Sequence, residues 1–309
     1  MWKNLCFYQR PFKIILQLFP LLQQHEVVST EEDAEVLISS VYLSVTRSLV
    51  AQMPSLRLVA NYGVGYDNID LQVCAEKGIM ITNTPQPVIE PTAELCMTLM
   101  LTLCRRTSEL CEGLRNGSVV FGLMNNLGRS LYGKTLGIIG MGHIGKAVAR
   151  RAVASGMHII YHNRHALPSA EEKLYNAQYV SMDEILQESD FLSLNLPYSQ
   201  GVRHLIDEAA LGKMKPSAYL INTARGPLVD EEALAAALQQ HRIAGAAMDV
   251  FEHEPQITPA LLTLQNCVVV PHIGTATLEC RQAMAQAVED NVRAYLSGDV
   301  RQMTIVKQA

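Results

Sequence analysis

Short runs of apolar and β-branched residues alternate with segments of helical periodicity along most of this 309-residue chain. The alternation predicts βαβ units and a mostly parallel sheet, because parallel strands need a crossover between them that is usually helical. Strands are predicted at residues 35–38, 56–60, 79–82, 135–139, 159–161, 191–194, 218–221, 244–250 and 268–270.

Helical periodicity separates several of these strands. Helices are predicted at residues 46–53, 71–77, 92–115, 146–154 and 277–296. Asp70 can cap the second helix with its side-chain oxygen, and Gly78 can end it in a left-handed conformation. The segment at residues 92–115 is predicted as one long helix that ends at Gly117.

The order of these elements predicts two domains, since the chain exceeds the usual length of one domain. The second domain is inserted into the first. We place the first domain at residues 1–93 and 277–309, and the inserted domain at residues 94–276. The fold class is therefore α/β, with two Rossmann-like or flavodoxin-like parallel-sheet domains and a cleft between them.

The composition fits a folded protein with ample buried cores, because 49% of the residues are hydrophobic and 18% are charged. The net charge of −5 offers no basic surface, so no nucleic-acid partner is expected. The seven cysteines form no CxxC pair, so neither a disulfide framework nor a metal site is expected. Cys96, Cys104 and Cys111 are expected to pack in the core.

Two apolar runs are candidates for targeting or membrane segments. The run at residues 14–22 is interrupted by Gln17 and Pro20 and lacks a following cleavage site of small residues. We interpret it as the first strand and helix of a folded domain. The run at residues 95–104 is too short to span a bilayer. A cytoplasmic protein without a membrane segment is expected.

A glycine-rich loop carries the first chemical signal. Gly140, Gly142 and Gly145 follow the predicted strand at residues 135–139 and precede a predicted helix. In a dinucleotide-binding loop the first glycine makes a tight turn, the second lets the backbone approach a pyrophosphate, and the third lets helix and strand pack closely. The loop predicts a dinucleotide site, although a tight turn without a ligand is the alternative.

The end of the next strand indicates which dinucleotide is bound. NAD sites usually place an acidic residue there to bind the ribose hydroxyls. This chain has Asn163 and Arg164, which can hydrogen-bond and neutralise a 2′-phosphate. NADP is therefore favoured over NAD, which remains possible. A solvent-facing polar turn without selectivity is the alternative.

Three further stretches place polar residues just after predicted strands. They contain Arg225, Glu254 and His272. Because the carboxyl ends of parallel strands meet at one edge of a sheet, these side chains are expected to converge on one crevice. Each residue alone is more often structural, as a solvated charge or a turn histidine. The combination favours a catalytic set.

Several motifs in order resemble those of the D-isomer-specific 2-hydroxyacid dehydrogenases. They are NYGVGYDNID at 61–70, TAEL at 92–95, GMGHIG at 140–145, HLID at 204–207, NTARGPLVDEEAL at 222–234, AMDVFEHEP at 247–255 and PHIGTAT at 271–277. The resemblance covers nearly the whole chain. Within the family, the chain looks most similar to glyoxylate/hydroxypyruvate reductases and 2-ketogluconate reductases.

The resemblance implies roles for the three polar residues. Arg225 would grip a 2-oxo acid and polarise its ketone, and His272 would protonate the carbonyl oxygen. Glu254 would bind the other ring nitrogen of His272 and fix its tautomer. Backbone N–H groups of Val64 and Gly65 would bind the substrate carboxylate.

The resemblance also implies a cofactor site. Asp249 would hold the nicotinamide carboxamide, with a turn cap as its alternative role. The full set of expected cofactor-binding residues is Thr92, Gly140, Gly142, His143, Ile144, Gly145, Asn163, Arg164, Leu196, Pro197, Thr223, Ala224, Asp249 and Gly274.

These features favour an enzyme that uses NADPH to reduce a small 2-oxo acid such as glyoxylate, hydroxypyruvate or 2-ketogluconate. One alternative is a dinucleotide-sensing binding protein like the C-terminal-binding corepressors, because fold and site residues alone do not guarantee catalysis. Another is an NAD-dependent enzyme of the D-lactate type. The resemblance further implies a homodimer formed largely by the cofactor domain.

Overall fold

The computed structural model describes residues 5–7 and 34–307. The chain divides into two compact units. An outer unit combines Met1–Val88 with Thr275–Ala309, and an inserted unit comprises Ile89–Gly274. A helix begins at Ile89, so the first boundary falls before the predicted residue 94. The elements predicted around residues 14–22 lie outside the described residues.

The described strands, in chain order, are β1 (Leu5–Phe7), β2 (Val36–Ser40), β3 (Leu58–Tyr62), β4 (Met80–Thr82), β5 (Thr135–Ile139), β6 (His158–His162), β7 (Ala177–Tyr179), β8 (Phe191–Leu194), β9 (Tyr219–Asn222), β10 (Gly245–Met248) and β11 (Cys267–Val269). The described α-helices are α1 (Arg47–Gln52), α2 (Leu71–Lys77), α3 (Ile89–Cys104), α4 (Thr107–Asn116), α5 (His143–Ala154), α6 (Ser169–Tyr175), α7 (Met182–Glu188), α8 (Glu208–Lys213), α9 (Glu231–Gln239), α10 (Pro259–Thr263) and α11 (Leu278–Ser297). Short 3-10 helices lie at Gln200–Val202, Gly226–Leu228 and Val300–Gln302.

The outer unit is built on a parallel sheet in the order β1-β2-β3-β4. Helix α11 packs along β3. The predicted caps of α2 are present: the Asp70 side chain accepts a hydrogen bond from the Val73 N–H, and Gly78 has a φ of 66°. A side chain at Gly78 would meet the steric cost of the left-handed region, which explains the glycine.

The inserted unit holds a seven-stranded parallel sheet in the order β11-β10-β9-β8-β5-β6-β7. Its strands alternate between two buried clusters, since Leu220 belongs to one, and Tyr219 and Ile221 belong to the other. A hydrophobic core therefore covers each face, as expected for a parallel sheet between helical layers. The direction of winding reverses between β5 and β8, and such a switch point is where ligands bind in this architecture. The predicted α/β class with parallel sheets is confirmed.

The single helix predicted at residues 92–115 is wrong, because the structure has α3 and α4 with a break between them. Arg106 stands at the break with a φ of 56°, and its guanidinium Nε donates to Glu109 at 2.8 Å. The carbonyl of Cys104 accepts the Arg129 N–H at 2.7 Å, in place of a continued helical bond. Apolar periodicity does not detect one residue with positive φ, so the sequence pattern missed the break.

Cysteine burial departs from expectation at one position. Cys96 and Cys104 are buried, as expected, whereas Cys111 on α4 is exposed. The discrepancy follows from the same break in the helix, because α4 does not continue the buried face of α3. Among the described residues, no helix has the length and apolar character needed to cross a membrane.

Candidate active site

The glycine loop runs from the end of β5 into α5, at the switch point of the sheet. Gly140 has a φ of 96°, and a Cβ atom there would lie 2.7 Å from the backbone carbonyl of Asn195. A Cβ atom on Gly145 would overlap the carbonyl oxygen of Gly140. Packing alone therefore requires glycine at both positions.

Gly142 differs from its two neighbours in the motif. A Cβ atom on this residue would meet no atom within 4 Å among the described residues, so the fold itself does not exclude a side chain. Gly142 is also the N-cap of α5, and no side chain caps this helix. The N–H groups of His143 and Ile144 in the first turn thus remain available at the positive end of the helix. The open space and the free donors fit a pyrophosphate.

Asn163 connects the end of β6 to the glycine loop. Its side-chain Oδ1 accepts the Met141 N–H at 2.7 Å, and the Tyr179 hydroxyl donates to its backbone oxygen at 3.2 Å. The next residue, Arg164, is exposed. The sequence indicated both residues as cofactor contacts but did not indicate that Asn163 also shapes the loop.

Buried polar groups stand at the ends of β8 and β9. Asn195 Oδ1 makes no hydrogen bond within the described structure. The Thr223 hydroxyl has the Cys96 thiol as its partner, and a thiol is a weak hydrogen-bonding group. Buried polar atoms are normally well paired, so this edge of the sheet suits a polar ligand. The predicted cofactor residues Leu196, Pro197 and Ala224 follow these two strand ends.

Arg225 leads out of the turn that follows β9. The Asn222 side chain shapes this turn, because its Nδ2 donates to the Arg225 carbonyl at 2.9 Å and its Oδ1 accepts the Ala224 N–H at 3.0 Å. The Arg225 guanidinium donates to the Ala224 carbonyl at 2.7 Å. The turn therefore fixes the backbone on both sides of Arg225.

Glu254 and His272 form a hydrogen-bonded pair. His272 Nδ1 lies 2.8 Å from Glu254 Oε2, and both side chains are about a quarter exposed. Burial raises the pKa of Glu254, but the hydrogen bond and charge of His272, the Phe251 N–H and the charge of Arg225 outweigh it and hold that pKa below its usual range. Glu254 is thus a carboxylate that accepts a hydrogen bond from Nδ1–H, which leaves Nε2 of His272 free for another partner.

Asp249 fixes the turn that carries His272. Its Oδ1 accepts the Ile273 N–H at 2.6 Å and its Oδ2 accepts the Gly274 N–H at 2.9 Å. The His272 N–H donates to the Asp249 backbone carbonyl at 2.8 Å, and Thr92 Oγ1 lies 3.4 Å from the Gly274 carbonyl. Burial raises the pKa of Asp249 to about 6. Asp249 therefore caps the turn that carries His272, which is the alternative role that the sequence left open.

The loop of Val64 and Gly65 belongs to the outer unit. Asn61 Nδ2 donates to the carbonyls of Gly63 at 3.1 Å and Gly65 at 2.7 Å, and Asn83 Nδ2 donates to the Val64 carbonyl at 2.9 Å. Three successive carbonyls are thereby held by protein side chains. Within the described residues the N–H groups of Val64 and Gly65 have no acceptor, so they can bind an anion. The sequence did not indicate that Asn61 and Asn83 hold this loop, although Asn61 is the first residue of the motif NYGVGYDNID.

The inserted unit brings most of the predicted site residues to one edge of its sheet. Arg225, Asp249 and His272 follow the adjacent strands β9, β10 and β11, and the glycine loop follows β5. His253, beside Glu254, is exposed. In the described part of the chain, no group of His, Cys, Asp and Glu side chains is arranged to hold a metal ion.

The pKa of Asp249 gives a testable dependence of stability on pH. Its folded-state pKa of about 6 lies above the ordinary 3.8, so the folded protein holds this proton more tightly than the unfolded chain. The stability that protonated Asp249 contributes should therefore be present below about pH 4 and lost as the pH rises through 6, by about 3 kcal/mol. Denaturant unfolding of the wild type and of Asp249→Asn, from pH 4 to 7, measures the difference. A difference that stays constant over this range would show that Asp249 ionises normally.

The sequence of this chain is similar to those of known proteins. Residues 97–274 match the family model described as D-isomer specific 2-hydroxyacid dehydrogenase, NAD binding domain. The chain is 43% identical over 273 residues to a glyoxylate reductase of Thermococcus litoralis, an alignment that covers 87% of this chain and 82% of the relative.

Two solved structures are similar to this chain over nearly its whole length. An NADPH-dependent glyoxylate/hydroxypyruvate reductase from Sinorhizobium meliloti, in complex with NADP and malonate, superposes with a TM-score of 0.86 at 31% identity, covering 99% of this chain and 100% of that one. A D-lactate dehydrogenase from Aquifex aeolicus, complexed with NAD and lactic acid, superposes with a TM-score of 0.89 at 30% identity, covering 98% of this chain and 99% of that one.

Proposed function

Since the chain belongs to the D-isomer-specific 2-hydroxyacid dehydrogenase family, we propose that it uses NADPH to reduce a small 2-oxo acid to the 2-hydroxy acid. Glyoxylate, hydroxypyruvate and 2-ketogluconate are the candidate substrates. The observation that carries the proposal is the hydrogen bond between Glu254 and His272, which is 2.8 Å long. Glu254 follows β10 and His272 follows β11, and Arg225 follows the adjacent strand β9.

Each of these residues is assigned one role in the reduction. The planar guanidinium of Arg225 binds the 2-oxo acid and polarises its ketone. His272 donates the proton from Nε2 to the carbonyl oxygen, while Glu254 holds Nδ1 and stabilises the imidazolium. The glycine loop and the end of β6 would hold NADPH, which would supply a hydride to the carbonyl carbon, and the proton from His272 would complete the hydroxyl group.

The preference for NADPH rests on the end of β6. Asn163 brings no negative charge to this position, and exposed Arg164 is free to approach a 2′-phosphate. Among the relatives, the Sinorhizobium meliloti reductase is NADPH-dependent and the Aquifex aeolicus dehydrogenase was captured with NAD. Both cofactors therefore occur on this fold, and the local charge decides between them.

The substrate assignment is tested by steady-state assays with each 2-oxo acid and either NADPH or NADH. We expect turnover of at least one of the three acids, with the higher kcat/KM for NADPH. No turnover with any acid would overturn the substrate assignment. If NADPH nevertheless bound tightly, the result would favour the dinucleotide-sensing alternative.

The selectivity argument predicts the effect of Asn163→Asp. The aspartate keeps Oδ1 for the Met141 N–H but adds a charge that repels the 2′-phosphate. A repulsion of about 1.4 kcal/mol would lower kcat/KM for NADPH roughly tenfold. The value for NADH should stay constant or rise. Arg164→Gln should also weaken NADPH and spare NADH. Equal losses with both cofactors would mean that Asn163 acts only through the shape of the loop.

The proton-donor role predicts the effect of His272→Ala. Loss of a general acid typically lowers turnover by roughly two to four orders of magnitude. NADPH affinity, measured by fluorescence titration, should change little. His253→Ala provides the matched control, because this exposed histidine lies next to Glu254 in the chain and should be dispensable. A near-normal rate for His272→Ala would place the proton donor elsewhere.

We also propose that the protein forms a homodimer through the segment at residues 120–127. Its side chains are unusually exposed for apolar residues: Phe121 by 84%, Leu123 by 96% and Met124 by 74%. A cluster of exposed apolar side chains on a soluble domain marks a surface that another molecule covers. A second copy of the chain is the occupant that the family resemblance implies.

The dimer is tested by light scattering coupled to size-exclusion chromatography. Wild-type protein should elute with the mass of two chains, and the double variant Leu123→Asp, Met124→Asp should shift toward the mass of one. Leu174→Asp is the control, since Leu174 is 72% exposed on α6 in the same unit. A wild-type monomer would refute the dimer.

A further inference from the structure

Glu254 lies on a loop, residues 251–258, whose backbone is held from several sides. Inside the loop, the Phe251 N–H donates to Glu254 Oε1 at 3.0 Å and an isolated bridge joins His253 to Gln256, but these contacts do not tie the loop to the rest of the unit. Yet the pair with His272 requires Glu254 Oε2 to stay within hydrogen-bond distance of Nδ1. The contacts that hold the loop therefore determine whether the pair keeps its geometry.

The turn that carries Arg225 packs directly against this loop. A Cβ atom on Gly226 would overlap the carbonyl of Phe251 and crowd the backbone nitrogen of Glu252. Gly226 is fully buried in this contact, and its φ does not require glycine. Close approach of the two backbones explains the residue, so Arg225 and Glu254 are carried by segments in mutual contact.

Glu231, on the helix that follows the Arg225 turn in the chain, makes a second connection to the Glu254 loop. It is the first residue of α9, and it is only 3% exposed. Its Oε1 accepts the Glu252 N–H at 2.5 Å and its Oε2 accepts the Thr258 N–H at 3.3 Å. Both ends of the Glu254 loop are thus bound to one carboxylate.

The burial of Glu231 is costly for a charged group. Among the described residues, no Lys, Arg or His side chain forms an ion pair with it, so its stabilisation comes from the two N–H groups and the positive end of α9. An apolar residue would fill this position without that cost, but it would leave the two N–H groups without their acceptor.

The Glu252 side chain joins the loop to a different segment of the chain, which contains Arg203 and His204. Its Oε1 lies 2.6 Å from Arg203 and 2.7 Å from Nε2 of His204. The backbone N–H and the side chain of Glu252 therefore engage different segments of the chain. A loop bound on both sides can move Glu254 only by breaking charged hydrogen bonds.

We propose that Glu231 is a positioning residue for the reaction: by binding the N–H groups of Glu252 and Thr258, it holds the Glu254–His272 pair in register with the Arg225 turn. The inference rests on the proposed function, because it assigns Glu231 an effect on proton donation by His272. Glu231 itself touches neither His272 nor Arg225 within the described contacts.

Glu231→Gln tests this proposal, with Glu232→Gln as the matched control. Glutamine keeps the size of the side chain and one acceptor oxygen, but its NH2 group would face an N–H donor. Glu232 is the next residue of the same helix, it is exposed, and its substitution changes the net charge equally. Hydrogen exchange of the peptide spanning residues 251–258 reports the contact without any need for activity.

In Glu231→Gln we expect faster exchange in this peptide, with NADPH affinity unchanged. We expect kcat to fall roughly 10- to 100-fold, the scale of a displaced catalytic group. The solvent deuterium isotope effect on kcat should rise, because proton donation becomes slower relative to the other steps. A smaller active fraction would lower the rate without changing this isotope effect. Glu232→Gln should leave all four measurements unchanged.

Each other result has a definite meaning. Unchanged exchange would overturn the inference, because Glu231 would not hold the loop. Faster exchange with an unchanged kcat and isotope effect would overturn it as well, since the contact would be structural only. If the wild type turned over none of the 2-oxo acids, the proposed function would fail, while the exchange result would still decide whether Glu231 holds the loop.

Discussion

The site depends on one constraint, the parallel order of the strands in the inserted unit. Because β5 and β8 to β11 all run in the same direction, every loop that follows them emerges at one edge of the sheet. Residues far apart in the chain, such as Gly140 and His272, therefore share that edge. The hydrophobic clusters on both faces of the sheet keep this order, since a strand displaced from it would expose apolar side chains to water. The chemistry at the edge inherits its geometry from this packing.

Buried carboxylates then turn loop ends into a defined site. Asp249 and Glu231 each bind two backbone N–H groups, and in both cases the groups belong to a loop that carries one member of the Glu254–His272 pair. Burying a carboxylate is unfavourable unless hydrogen bonds compensate it, and the raised pKa of Asp249 is a direct sign of that cost. These hydrogen bonds restrain the two loops at the positions where a shift of 1 Å would lengthen the Glu254–His272 hydrogen bond. In the outer unit, side-chain amides restrain a loop in a comparable way, because Asn61 and Asn83 donate hydrogen bonds to three successive carbonyls.

Sequence patterns anticipated the parts of this structure that repeat along the chain. Strand positions, the caps of α2 and the glycine loop follow from local periodicity and from the special conformations of glycine. The break at Arg106 escaped because it depends on one residue with positive φ and on a distant carbonyl contact at Cys104. The sequence did not indicate a role for Glu231 either, because an acidic residue is common at the start of a helix for electrostatic reasons alone. Only its burial and its contact with a loop more than 20 residues away reveal another role.

Asn163 illustrates how one residue can serve both loop geometry and charge. Its Oδ1 fixes the Met141 N–H and thereby the entry of the glycine loop. An aspartate would offer the same oxygen to the same N–H, so the loop geometry is compatible with either side chain. The two side chains differ in charge far more than in shape. A change of charge at this position, which would affect the choice between a ribose hydroxyl and a 2′-phosphate, can therefore occur while the glycine loop stays intact. Solved structures of this fold hold NAD in one case and NADP in another.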